Sequence, residues 1–169
     1  MTSPGWSVIR WYLLAVVVIV FDQWTKQLVT SQFQYGETLS VTPFFNLTLV
    51  HNLGAAFSFL SNAGGWQRWF FTLLGFAVSL FIILWMWRIK HSQKLLGMAL
   101  ALVLGGALGN VWDRMVLGYV VDFIDVYYLD YHWPAFNIAD SAITCGAILL
   151  ILESLLSGKE NGVEDTKHE

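Results

Sequence analysis

Two aspartates stand in apolar surroundings. Asp122 lies between Val120-Val121 and Phe123-Ile124, Asp140 between Asn137-Ile138-Ala139 and Ser141-Ala142-Ile143, and neither has a basic residue within four positions. Apolar surroundings raise a carboxyl pKa, and two acids brought together share one proton. Such a pair can activate a water through one member while the other protonates a leaving group. The competing reading is structural, with both acids capping helices or binding backbone amides.

Other polar residues carry different chemistry. Asp22 and Lys26 are four apart and can neutralise each other on one helix face. Asn110, Asp113 and Arg114 form an i, i+3, i+4 set, in which an Asp beside an Arg stays ionised and suits a charge clamp better than a proton shuttle. Arg114 is also placed to meet a lipid phosphate or a substrate carbonyl. Other catalytic plans lack parts. No HExxH occurs, and His51, His91, His132 and His168 are scattered. His51 and Ser58 share a loop, but no nucleophile elbow surrounds that serine. The single cysteine, Cys145, cannot form an internal disulfide and sits in an apolar run, as a small packing residue would.

These residues need elements to hold them, and the composition says which solvent those elements meet. Of 169 residues 56% are hydrophobic and 12% charged, with mean hydropathy +0.57. A soluble chain is about one-quarter charged, so an ordinary soluble domain is excluded and lipid must supply part of the solvent. A net charge of −3 with no basic block argues against nucleic-acid binding.

The chain therefore reads as an all-α integral membrane protein with four transmembrane helices, near residues 11–29, 69–87, 95–112 and 137–156. They form one membrane domain over residues 1–158, followed by a polar tail over 159–169 in which Glu160, Glu164, Asp165 and Glu169 face water. Trp66, Trp69, Trp85, Trp87, Trp112 and Trp133 fall at or beside the segment ends, as interfacial anchors do. Segment one runs straight into DQWTKQ with no small-x-small cleavage site, so it reads as a retained helix. Arg88, Lys90 and Lys94 crowd the short second loop, which places that loop and both termini in the cytoplasm.

That orientation gathers the polar set. Asp22, Lys26, Asn110, Asp113, Asn137 and Asp140 all fall at outer helix ends, and Asn52 and Asp122 lie in the outer loops. The loops have strand character. In FNLTLVHN, Phe45, Leu47 and Leu49 alternate with polar neighbours between Gly36 and the Asn62-Ala63-Gly64-Gly65 turn, and Val120–Tyr128 is rich in β-branched and aromatic residues. A small β-rich extracytoplasmic region is expected. Mid-bilayer charges cost roughly 2.5–3.5 kcal/mol each on insertion scales, so these acids need partners or a task.

The strings FDQWTK, HNLGAAFSF, GGALGNVWDRMVLGYVVDFID and PAFNIADSAIT, in this order among four spans, resemble the lipoprotein signal peptidases (signal peptidase II). The motifs run from Asp22 to Thr144. The resemblance implies a bacterial inner-membrane aspartic endopeptidase, its site at the periplasmic face, that cuts the signal peptide of a prolipoprotein just before a diacylglyceryl-modified cysteine. It carries the catalytic pair onto Asp122 and Asp140, and substrate-binding or supporting roles onto Asp22, Lys26, Asn52, Gly54, Asn110, Asp113, Arg114 and Asn137. It implies no metal and no cofactor; its partners are lipidated precursors and membrane lipid. Two rivals stand beside it. A small proton-coupled carrier would also place Asp residues in the membrane, but would need polar groups at both faces, where the cytoplasmic one offers only Glu153. A non-enzymatic membrane adaptor would tolerate loss of either acid.

Overall fold

A computed structural model of the chain describes residues 4–54 and 64–165, with side chains over 8–54 and 64–157. Ser58, most of HNLGAAFSF, Asn62-Ala63, His168 and Glu169 lie outside the described residues, as do the side chains of Glu160, Glu164 and Asp165.

The elements in chain order are helix α1 (Pro4–Gln32), strands β1 (Thr38–Thr42) and β2 (Phe45–Asn52), helices α2 (Trp66–Met86) and α3 (Lys94–Val116), strands β3 (Val120–Tyr128) and β4 (Tyr131–His132), and helix α4 (Ile138–Asp165). All four helices contain windows long and apolar enough to cross a membrane, over Val8–Gln32, Trp66–Met86, Lys94–Val116 and Ile138–Ser157. Their outward faces are apolar: Val16, Val17, Leu73, Leu80, Phe81, Ile151 and Leu155 are all exposed. The pattern is that of a body whose solvent is hydrocarbon. α4 continues past the expected span end and takes in most of the segment read as a tail.

α3 is the centre and packs against α1, α2 and α4. Its sequence permits this because glycines fall where neighbours approach. A Cβ on Gly105 would come 2.7 Å from the Ala15 carbonyl, one on Gly106 would collide with the Ala139 carbonyl, and one on Gly109 would lie 2.8 Å from Asp22 Oδ2. Close approach through small residues is how helices associate in lipid, where the hydrophobic effect gives no pairing force. Away from the site, Ile82, Met86, Leu96, Leu100 and Leu104 form an apolar core with Ala15.

At the other end of the bundle the strands form one antiparallel sheet in the order β1-β2-β3-β4. Val29, Leu49, Val121 and Phe123 make a second core at the junction of sheet and helices. The expected alternation of β2 is only partly realised. Asn46 and Thr48 are buried while Phe45 and Leu47 are half-buried, because the polar pair is satisfied: Asn46 Nδ2 donates to Asp125 Oδ2 at 2.8 Å, and the Thr48 hydroxyl donates to the Glu37 carbonyl at 3.1 Å. A bulge then resets the phase. β2 advances from Leu47 to Val50 while β3 moves only from Ile124 to Asp122, which turns Asn52 onto the face that carries Asp122.

Candidate active site

The membrane cluster is built outward from one ammonium group. Lys26 Nζ lies 2.8 Å from Asp22 Oδ2 and 2.9 Å from Asp113 Oδ2, and donates to Asn110 Oδ1 at 3.1 Å. All four side chains are buried. A buried cation is tolerable when its three donors are used and its charge is matched, and both conditions hold here. The i, i+4 pairing of Asp22 and Lys26 is therefore present. The pairing of Asp113 with Arg114 is not. Neighbours along a helix point about 100° apart, so Asp113 faces α1 and meets Lys26 while Arg114 turns towards α2. Asp113 also accepts Gln23 Nε2 at 2.7 Å and the Val121 backbone N–H at 3.1 Å, tying α1, α3 and β3 together. Arg114 donates through Nη2 to the Gly54 carbonyl at 2.7 Å and through Nη1 to the Asn110 carbonyl at 3.3 Å.

The second layer is amide. Asn110 Nδ2 donates to Asp140 Oδ1 at 2.8 Å, so the amide turns its oxygen to Lys26 and its nitrogen to the acid. Asn137 caps α4 reciprocally. Its Oδ1 accepts the Asp140 N–H at 2.9 Å, and Asp140 Oδ2 accepts the Asn137 N–H at 3.2 Å. Asn137 Nδ2 reaches Asp122 Oδ1 at 2.7 Å, and Asn52 Nδ2 reaches Asp122 Oδ2 at 2.9 Å. Asn52 is held in turn by the Gly54 N–H on its Oδ1 at 2.9 Å. Asp22 Oδ1 binds the Ala139 N–H at 2.8 Å, fixing the same helix start to α1.

The structural and chemical readings of the two acids thus separate. Asp140 does cap its helix, whereas Asp122 binds side-chain amides from β2 and from the first residue before α4. Asp122 is 1% exposed. Burial first, and the Asp140 carboxylate second, push its pKa up to about 7 against the lowering by the Asn52 and Asn137 amides. An acid poised there gains or loses a proton near neutrality. Asp140 lines a groove of about 330 Å³, to which Asn52, Trp133, Pro134, Phe136 and Cys145 also contribute. The wall residues Trp133 to Phe136 follow β4, and Phe136 is held to Ile124 by a backbone bridge.

The cluster joins eight of the expected residues: Asp22, Lys26, Asn52, Asn110, Asp113, Asp122, Asn137 and Asp140, with Gly54 and Arg114 beside them. Lys26 is linked to Asp140 through Asn110, which accepts the ammonium on Oδ1 and donates Nδ2 to the acid, a connection that nearness in sequence did not disclose. Cys145 is exposed on the groove and not packed in the core, because its position on α4 faces away from α3. His51 lies between Tyr35 and Tyr119, with ring centroids 4.7 and 3.9 Å away, and burial pushes its imidazole below the ordinary histidine value. His132 pairs with Asp125 at 2.9 Å. Among the described residues no three His, Cys, Asp or Glu side chains gather as a metal-ligand set.

Residues 14–156 match the family described as Signal peptidase (SPase) II. The chain belongs to the signal peptidase II family. Its similarity to individual members is high and spans most of both chains. It is 52% identical over 160 residues to a lipoprotein signal peptidase of Alteromonas mediterranea, covering 92% of this chain and 88% of that one. It is 57% identical over 153 residues to one of Cupriavidus pinatubonensis, covering 90% and 86%. A bacterial membrane enzyme solved in meso at 2.3 Å superposes with a TM-score of 0.79 at 36% identity, covering 93% of this chain and 91% of that one. Signal peptidase II is a peptidase family, and nothing in these likenesses favours a carrier.

Proposed function

We propose that the protein is a membrane aspartic endopeptidase that removes the signal peptide from bacterial prolipoproteins, cutting just before the diacylglyceryl-modified cysteine. The observation that carries this reading is the pair Asp122 and Asp140, held by three asparagines beside a groove at one end of four membrane-crossing helices. The likeness to lipoprotein signal peptidases supplies the substrate class. The α2–α3 connection, with Arg88 and Lys90 and with Lys94 opening α3, supports cytoplasmic termini in the inner membrane, which would set the sheet and the acids at the periplasmic face.

In this reading the dyad holds one proton between two carboxyls. Asp140, which lines the groove, takes a proton from a bound water as its oxygen attacks the scissile carbonyl, while Asp122 gives its proton to the carbonyl oxygen. The product is a tetrahedral diol. Collapse returns a diol proton to Asp122, moves the proton on Asp140 to the departing nitrogen and breaks the C–N bond. The dyad ends with the one proton it began with. Asn110 and Asn137 keep the oxygens in place throughout, so little reorganisation accompanies the charge movement.

The test offers purified protein a precursor with and without the diacylglyceryl group and locates the cut by mass. Cleavage before the modified cysteine, dependent on the lipid, is the expected result. Absence of that cut, or equal cleavage of both precursors, overturns the reading.

A further inference from the structure

A helix leaves its last four carbonyls without intrahelical donors, and at the site end of α3 a residue from another helix takes two of them. The Asp113 carbonyl accepts the N–H groups of Leu117 at 2.7 Å and Gly118 at 3.3 Å. Gly118, at φ 89°, supplies the left-handed turn that such a cap requires. The Arg114 and Met115 carbonyls accept Nε and Nη2 of Arg68, at 2.7 and 3.0 Å. Gly118 also leaves space for that guanidinium, since a Cβ there would come 3.3 Å from Arg68 Nη1.

Arg68 lies in the first turn of α2, where the helix dipole disfavours a cation. Its charge is instead satisfied at the negative end of α3. This matters because α3 is the only element against which α2 packs extensively among those described. Along that contact Gly75 sits against Val111, and far from the site the Tyr12 hydroxyl donates to the Ile83 carbonyl at 3.1 Å. On its other side α2 faces α4 across a lateral groove of about 340 Å³. Phe71 and Leu74 form one wall, Ile143 and Thr144 the other, and Arg114 and Asp140 stand at its head.

We propose that Arg68 is a positioning residue that clips the site end of α2 to α3 and thereby fixes the width of the groove by which an acylated substrate reaches Asp140. The proposal rests on the peptidase reading above. A forked guanidinium meets two carbonyls at once, which an ammonium cannot do with the same geometry. Loss of the clip lets α2 swing without disturbing Asp122, Asp140 or their asparagines, so substrate binding suffers and the chemical step does not.

The test uses the full chain with Arg68→Ala and Arg68→Lys. For a diacylglyceryl precursor, Arg68→Ala should raise KM about tenfold with kcat nearly unchanged, and Arg68→Lys should fall between it and the parent. Nitroxides on Cys145 and on Leu73→Cys, both exposed positions, report the distance between α4 and α2 without reference to activity. That distance distribution should broaden in Arg68→Ala and less in Arg68→Lys. An unchanged distribution, an unchanged KM, or a fall in kcat alone overturns the proposal. Failure of the parent protein to cleave the precursor defeats the peptidase reading, while the distances still decide whether Arg68 holds α2.

Discussion

Asn110 presents its oxygen to Lys26 and its nitrogen to Asp140, so an ammonium that touches neither catalytic candidate still dictates which atom faces one of them. Asn137 touches both acids, donating Nδ2 to Asp122 and its backbone N–H to Asp140, and the two should fail together. Asp122→Asn and Asp140→Asn should each lower precursor cleavage by roughly a thousandfold or more with normal expression, and the double variant should be little worse, because groups acting in one step are not additive. Substantial turnover by either single variant defeats the dyad. Asp122 also makes a prediction about stability. Its pKa near 7 in the folded protein exceeds the ordinary value of about 3.9, so between those limits the folded state binds the extra proton. That contribution is fullest below pH 4 and is lost as pH rises through 7. Asp122→Asn abolishes the loss, and its thermal midpoint in detergent should gain on the parent between pH 5 and pH 8. A difference independent of pH, or one of opposite slope, contradicts the assignment.

The helices were legible as elements because hydrocarbon imposes length and apolarity over about 20 residues. What joins them was less so. Asp22 and Lys26 could be paired from their spacing, but the bond from Lys26 to Asp113 crosses from α1 to α3 and leaves no trace in local order. Gln23 gives no local sign of its bond either, although it donates to Asp113 across the same helix pair. The alternation of FNLTLVHN misled where Asn46 and Thr48 found buried partners, and no residue type announced the bulge that turns Asn52 towards Asp122. Two substitutions test how the helices are joined. Asp113→Asn leaves the Lys26 charge with one carboxylate and should lower stability by about 3 kcal/mol as well as activity. If detergent stability held while turnover vanished, Asp113 would belong with the catalytic residues. Gly106→Ala drives a Cβ into the Ala139 carbonyl, a backbone atom at the start of α4 that has little room to yield. It should destabilise by about 1–3 kcal/mol, and an unchanged thermal midpoint would show that α3 and α4 are looser than their packing implies.

For the molecule as a whole, the orientation proposed from Arg88, Lys90 and Lys94 predicts that an engineered thiol beside Lys90 is shielded from impermeant reagents added outside intact cells. Labelling there would invert the protein and move the proposed site to the wrong compartment.

The order of the polar residues along the chain has a consequence for biosynthesis. Asp22 and Lys26 emerge from the ribosome first, then Asn52, Asn110, Asp113 and Asp122, and only afterwards the Asn137–Asp140 turn that opens α4. Until that turn arrives, Asp22 lacks the Ala139 N–H, Asn110 has no acid to receive its amide, and Asp122 waits for Asn137. A nascent chain halted before residue 137 would carry one aspartate of the pair in an unfinished cradle. In the proposed reading, proteolytic competence is thus timed to the completion of α4.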